Sequence, residues 1–375
     1  MCYAERPEIA TLSMMIVLAT LLLLLVTLLP LWRHPHWLVR GLEFPRLLLA
    51  AAALLLLLAQ SLLLRPDQAL SWVLLPVTGA CLLWQLRWIL PYTPLWKREV
   101  KAARSDAPEE HRLSILTANV LTTNRNAHTF LKLVQDCAPD VLVTLESDQW
   151  WQDQLDALQP AMPHALKCPL DNFYGMHVYS RLPLDEASIE FLVEDGVPSM
   201  HAVLTLPSGD RVRVHFLHPA PPSPTENPHS AERDAELVIV ARSVAGSPLP
   251  VVVTGDLNDV AWSPTTRLFR AISGLLDPRV GRGMFNTFHA RYPFLRWPLD
   301  HLFHSDDFTL RSLRRLPPFG SDHFALFTEL VLAPVRGADQ DGVKPTGEDH
   351  ARARSIAAAQ QVSAASVPTP GEPTA

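Results

Sequence analysis

The sequence predicts a layered α/β domain, sheets packed together and helices covering the outside, preceded by three membrane-spanning helices. Three observations carry that expectation. Leucine and alanine crowd the first hundred residues in long runs without charge. The middle of the chain has many short β-branched stretches with few helical ones between them, the pattern of packed sheets under outer helices. The last forty residues are polar and rich in Pro, Ala, Ser and Thr.

The run from Ile9 to Leu31 holds twenty-three residues without a charge, enough to span a hydrocarbon core of about 30 Å. A second uncharged run extends from Leu47 to Leu64. A third, Ala69 to Leu90, is interrupted only by Arg87 and carries Trp72, Trp84 and Trp88 as interface anchors. A cleavable signal peptide does not fit the first run, which is too long, lacks a basic leading segment and is followed by two more spans. The expected organisation is a membrane anchor over 1–96 (spans near 9–31, 47–64 and 69–90), a polar linker over 97–110, a catalytic domain over 111–335 and a disordered tail over 336–375. Arg33, Arg40 and Arg46 in the first loop, with Lys97, Arg98, Lys101 and Arg104 after the third span, stand against Arg6 and Arg65 on the other side. That asymmetry favours a multi-pass protein of the cell membrane with its C-terminal domain in the cytoplasm, the extracytoplasmic side remaining open.

In the soluble part, "LSILTANV" (Leu113 to Val120) is a strand pattern. The stretch "NAHTFLKLVQDCAPD" places Phe130, Leu133, Val134 and Cys137 at helical spacing, and Pro139 stops it. "VLVTLES" is the next strand and ends in Glu146. Further strands are expected over 176–180, 201–207 and 211–218, with Gly209 and Asp210 turning between the last two. "AERDAELVIVARSVAG" is a helix whose Leu237, Val240, Ala241 and Val244 share one face. It leads into the β-branched run "VVVTGDLNDV" (251–260). Ser263 and Pro264 then form a cap and first-turn pair, Leu268, Phe269 and Ile272 face inward, and Gly274 closes that helix. "PLDHLFH" and "FALFTELVL" are the final strands. Beyond Gly337 the composition is too polar for a core.

Cysteine and charge narrow the function classes. Cys2, Cys81, Cys137 and Cys168 have no metal or redox spacing and define no disulfide framework. Between Asp106 and Arg336 nineteen Lys and Arg face twenty-eight Asp and Glu, a net of −9. Proteins that hold long nucleic acids carry a basic face, because phosphate neutralisation supplies most of their affinity. An acidic domain acts on phosphates when bound cations offset its acids.

The informative pattern is where the polar residues stand. Successive strands end in Asn119, in Glu146, in His218 and in the group Asp256, Asn258 and Asp259. Asp300-His301 and Ser321-Asp322-His323 follow near the C-terminus. Each alone is an ordinary turn, helix cap or solvated strand end. Together and in this order they resemble the endonuclease/exonuclease/phosphatase superfamily of metal-dependent phosphohydrolases. That group includes pancreatic-type deoxyribonucleases, abasic-site endonucleases, inositol-polyphosphate phosphatases and bacterial sphingomyelinases. The resemblance covers roughly Leu113 to Leu332 and includes "YSRLPL" (179–184), similar to the family's strand-end "SR-x-P" element. The three-span anchor is similar to membrane-attached bacterial members.

The resemblance implies a four-layer α/β/β/α sandwich of the DNase-like type and a divalent cation, Mg2+ or Mn2+. Such hard ions need few carboxylates, because they take oxygen ligands and keep waters. Glu146 would be the first metal ligand, supported by Asn119 and Asp322. Asp256 would act as base toward the attacking water, and Asn258 would orient a phosphate oxygen. His323 would contact the phosphoryl group, with Asp300 holding its ring and raising its pKa. His218 matches a second histidine used by the nuclease and sphingomyelinase branches. Asp259 stands where relatives vary and is read either as a support behind the site residues or as a turn former. "FLRWPLDHLF" departs from the pattern, carrying Trp-Pro where relatives have Arg and an aliphatic residue, yet keeps Asp300 in register. Arg279, Arg282, Arg291 and Arg296 lie among aromatics just before Asp300, either as a solvated loop or as a phosphate clamp or lipid-facing surface. The expected function is a membrane-anchored phosphoesterase for a lipid-linked or small phosphorylated substrate. A nuclease is the alternative, and the retained residue set speaks against an inactive binding scaffold.

Overall fold

The computed structural model describes residues 7–64, 69–337 and 339–372. Cys2, Arg6 and Arg65 lie outside the described residues. The chain opens with α1 (Pro7–Leu28), which a 3-10 turn extends through Leu29–Trp32, then α2 (Trp37–Gly41), α3 (Arg46–Leu63) and α4 (Ala69–Ile89). Three stretches are long and apolar enough to cross a membrane: Thr11–Trp32, Arg46–Leu63 and Ala69–Tyr92. Their outer faces present exposed leucines such as Leu22, Leu55 and Leu62. Their inner faces are bound by polar side chains. Gln60 Nε2 donates to the hydroxyls of Thr20 and Thr78, each at 2.9 Å, and Gln85 Nε2 donates to Thr27 at 3.1 Å. Among apolar helices such bonds supply what a hydrophobic driving force cannot.

The remaining elements are β1 (Arg112–Asn119), α5 (Ala127–Cys137), β2 (Val141–Leu145), α6 (Gln149–Leu155), β3 (His164–Cys168), β4 (Met176–Ser180), β5 (Leu184–Glu190) and β6 (Ser199–Thr205). Then come β7 (Arg211–Leu217), α7 (Ala231–Val244), β8 (Val251–Asp256), α8 (Pro264–Ser273), β9 (Asp300–His304), β10 (Phe308–Arg315), β11 (Leu326–Leu332), α9 (Pro334–Gly337) and α10 (Gly347–Ala359). Six strands form one sheet in the order β10-β11-β1-β2-β4-β3, and five form another in the order β5-β6-β7-β8-β9. Because side chains alternate along a strand, Ile115 and Val143 point to the interior between the sheets, where they meet Val214 and Val252. Leu116 and Leu142 point outward onto Phe130 and Trp151, carried by α5 and α6. On the opposite outside, α7 and α8 cover Val253 and Phe303. The layers are therefore α/β/β/α, as expected. The three strands that hydrophobic pattern does not reveal, β3, β5 and β10, are all sheet edges rich in polar residues.

Two expectations are corrected. The tail over 336–375 is not disordered where it is described: Thr346 and Asp349 form a capping box for α10, and Ala353, Ala357 and Val367 are buried with the residues of α7 and α8. Alanine forms helix well yet adds little hydropathy, so a close-packed small-residue helix has the composition of a linker. The polar segment 97–110 is likewise no free tether. Leu310 N donates to the Lys101 carbonyl at 2.9 Å and Ala103 N to the Leu310 carbonyl at 2.8 Å, while Val100 is fully buried. Glu99 accepts two hydrogen bonds from Arg270 Nη2.

Candidate active site

Sheet topology brings all eight candidate residues to one end of the sandwich. β1 and β2 run parallel, as do β7 and β8, so Asn119, Glu146, His218 and Asp256 emerge together at strand C-termini. β9 and β11 run antiparallel to their neighbours, so Asp300 and the Ser321–His323 turn sit at the same end, before or at strand starts. A hydrogen bond between the Thr117 and Thr254 hydroxyls, at 2.8 Å, ties the two sheets together two residues before the site.

Local backbone is specialised there. Gly255 has φ +152°, and a Cβ at that position would lie 1.8 Å from the Leu217 carbonyl oxygen; no other residue fits. Glu146 and Asn258 adopt φ of +55° and +51°, the left-handed region that non-glycine residues enter at a cost and that gathers at functional sites.

The side chains form one network. Asn119 Nδ2 donates to Glu146 Oε1 at 2.7 Å and to Asp256 Oδ2 at 3.3 Å. His323 Nδ1 lies 2.8 Å from Asp300 Oδ2, and its Nε2 lies 3.5 Å from Asp256 Oδ2. Burial acts to lower the His323 pKa, but Asp300 and Asp256 outweigh it and raise it to about 10. The ring is therefore an imidazolium at neutral pH. Asp256 is raised by burial against the opposing pull of His323, and its Oδ1 accepts from Asn258 N at 2.9 Å. His218 is buried and lowered to about 4, so it is neutral, and it packs at a tilt against Tyr174 with ring centroids 5.3 Å apart. Asn258 Nδ2 donates to the Pro219 carbonyl at 3.0 Å, spending one of its two amide protons on the loop after β7. Asp322 is held by its backbone, accepting from Ala290 N at 2.6 Å, and its charge helps to raise Glu146.

The donor set fits a divalent cation at Glu146. Burial pushes that carboxyl up to about 7; the hydrogen bond from Asn119 and the charge of His323 pull it down, and Asp322 and Asp256 add to the rise. Glu146 is half-buried with two more acids nearby, an oxygen donor set of the kind a hard divalent cation takes. Asp256, Asp300 and His323 also offer ligand atoms within 4.8 Å of one another. A proton serves that trio better: both ring nitrogens face carboxylates, and an imidazolium has no lone pair for a metal.

A family model of the endonuclease/exonuclease/phosphatase family matches residues 116–323, which contain every candidate site residue. The chain belongs to this family. It is therefore a hydrolase of the phosphoesterase and nuclease type. No curated protein matches the sequence. Among solved structures, the chain is similar in fold to the human nocturnin catalytic domain, at 15% identity and TM-score 0.50, over 60% of this chain and 96% of that one. An endonuclease/exonuclease/phosphatase from Beutenbergia cavernae is 17% identical at TM-score 0.49, over 60% and 72% of the two chains. D. rerio TDP2, in complex with a single-strand DNA product, is 16% identical at TM-score 0.49, over 58% and 98%.

Several residues at the site escape sequence reasoning. Phe288 packs on His323 with centroids 5.0 Å apart, and Tyr174 covers His218 while donating its hydroxyl to Glu226. Neither carries a periodic signal. Arg279 and Arg282 are not a phosphate clamp. Arg279 is buried against Asp277 and His301, and Arg282 donates to the carbonyls of Pro278 and Val100. Asp259 accepts from the Ser263 and Thr266 hydroxyls and so braces Ser263, the N-cap of α8, in the turn after β8. The largest omission is a buried relay. Arg40, in the loop between the first two apolar helices, reaches Asp234 at 2.7 Å; Asp234 holds Arg233 at 2.9 Å; and Arg233 Nη1 donates to the Asn258 carbonyl at 2.7 Å.

Proposed function

We propose that this protein is a membrane-anchored, divalent-metal-dependent phosphoesterase that hydrolyses a phosphodiester or phosphomonoester of a lipid-linked or small phosphorylated substrate. One observation carries the reading: His323 set between Asp300, 2.8 Å from its Nδ1, and Asp256, 3.5 Å from its Nε2, with Asn119 joining Asp256 to Glu146. Attack on a phosphate ester must overcome negative charge on the substrate and on the leaving oxygen, and this network sets a fixed positive group beside a base. Asp256 accepts the proton of the attacking water. His323 faces the phosphoryl oxygens as a charged donor, its ring fixed by Asp300. Asn258 steadies a phosphate oxygen with its remaining amide proton, and neutral His218 receives or orients the leaving side. Glu146, with Asn119 and Asp322, would hold Mg2+ or Mn2+, which when bound polarises the phosphoryl oxygen and stabilises the leaving group. Strand ends give these groups the rigidity such chemistry needs.

We place the three apolar helices in the cell membrane. The loop carrying Arg33, Arg40 and Arg46 docks on the catalytic domain, Trp37 N donating to the Pro228 carbonyl at 3.0 Å, so loop and domain share one side. Their basic residues favour the cytoplasmic face. The domain's acidic balance disfavours long nucleic acid as substrate. The test uses the full chain in detergent micelles with bis(p-nitrophenyl) phosphate and Mg2+. Asp256→Ala and His323→Ala should each lower turnover by about 10²- to 10⁴-fold, and EDTA should abolish it. Equal turnover in all three proteins sinks the proposal.

A further inference from the structure

The loop before Asp300 places large apolar side chains in the open. Phe294 is 83% exposed, Tyr292 55% and Leu295 45%. This tip does not project into bulk solvent far from the anchor. It borders a cleft of about 130 Å³ whose other wall is Pro45, Leu47 and Leu48, the start and first turn of α3. Trp262, Met284, Pro293 and Trp297 line it from the catalytic domain, together with the polar Asn286 and Arg296. The contact is a built junction: Phe44 meets Trp297 edge-on at 5.8 Å, and Trp262 Nε1 donates to the Glu43 carbonyl at 2.9 Å.

A second observation connects the cleft to the chemistry. Trp297 stacks on Phe288 with centroids 6.1 Å apart, and Phe288 lies on His323 at 5.0 Å. One aromatic wall thus runs from the proposed phosphate site to the first turn of α3. Large apolar patches on a soluble surface mark interaction sites, and this one continues the exposed apolar face of α3, where Leu47 and Leu48 also lie open. Arg291, exposed on the same loop, supplies a cation beside that apolar surface.

We propose that this cleft receives the hydrocarbon chain of a membrane-borne phosphate ester, with the tip of loop 290–297 seated among lipid headgroups and the ester phosphate directed to the Glu146–Asp256–His323 end of the sandwich. The proposal rests on the phosphoesterase reading and names its substrate class. A lipid occupies the cleft, rather than a second protein, because one wall is itself the first turn of an apolar helix and Leu47, Leu48 and Phe294 of its lining are also exposed, continuous with the open apolar face of that helix.

Two measurements on the full chain in detergent micelles test it. A diazirine-bearing hexadecyl phosphate is photolysed with the protein and the labelled peptides are mapped. Label should fall on the peptides holding Leu47–Leu48 and Met284–Trp297 and be competed by plain hexadecyl phosphate; label spread along the outer faces of the three apolar helices alone overturns the site. Hexadecyl and butyl p-nitrophenyl phosphodiesters are then compared as substrates. Leu48→Trp, which fills the cleft, should cut the hexadecyl-to-butyl ratio of kcat/KM by about tenfold or more, since a narrowed apolar pocket discriminates against added methylenes. An unchanged ratio overturns the proposal. Specific labelling of the cleft without turnover of either ester would instead remove the phosphoesterase reading and leave the lipid site standing.

Discussion

His323 keeps its proton because two carboxylates face its two ring nitrogens, and burial alone would have stripped it. The pair with Asp300 is the shorter, at 2.8 Å against 3.5 Å to Asp256. The linkage has a definite sign. With a folded pKa near 10 against an ordinary value of 6.5, the stability His323 contributes is fully present below pH about 6.5 and is lost as pH rises through about 10. Catalysis that needs the imidazolium falls over the same alkaline range. Replacing Asp300 by Asn preserves shape and removes the nearer charge, so the alkaline limb of the kcat/KM profile should move down by about one to two pH units. A limb that stays in place would show that another group controls it.

At the scale of elements, the loop from Asp256 to Ser263 is gripped from two directions. The cap of α8 holds Asp259 on one side, and the Arg40–Asp234–Arg233 relay holds the Asn258 carbonyl on the other. Arg40 and Asp234 are both buried, and removing Arg40 takes from Asp234 one of its two guanidinium partners, Arg233 remaining, which disrupts a buried charged network. Arg40→Ala should therefore lower kcat by about tenfold or more, a small displacement of a positioned loop being enough to do so. It should also speed amide hydrogen exchange in residues 256–263, and unchanged exchange there would exclude the relay as a positioning device. The rail "VVVTGD" and its acids were legible because β-branched burial and a required glycine leave strong signals. Glu146, Asp256, Asp300 and His323 were legible as strand ends by their order alone. Arg40 was not, since a basic residue beside an apolar run has the ordinary explanation of membrane topology. The edges β3, β5 and β10 were hidden by their solvent-facing polar residues, and α10 by the low hydropathy of alanine.

The molecule as a whole is one packed body rather than an anchor with a passenger. Val260, Ala261, Trp262 and Leu299, close in sequence to Asp256 and Asp300, share a buried cluster with Ala50, Ile89 and Tyr92 from the apolar helices. The Tyr92 hydroxyl donates to the Ala261 carbonyl at 2.6 Å. A truncated chain starting at residue 97 should therefore expose this cluster and behave as an aggregating or destabilised protein. Its urea midpoint, measured against the full chain in detergent, should fall clearly; equal midpoints and a monodisperse soluble species would show that the domain is separable. The bridge of Lys101 and Ala103 onto Leu310 leaves no slack between the last apolar helix and the sheet edge. A domain on a loose leash sweeps a hemisphere of solution, whereas this one is held at a single height and tilt. On the proposed placement of its helices in a bilayer and with a membrane-borne ester as substrate, the search would become planar, and the turnover rate would follow how many phosphate groups occupy each patch of surface rather than how many are dissolved in the surrounding volume.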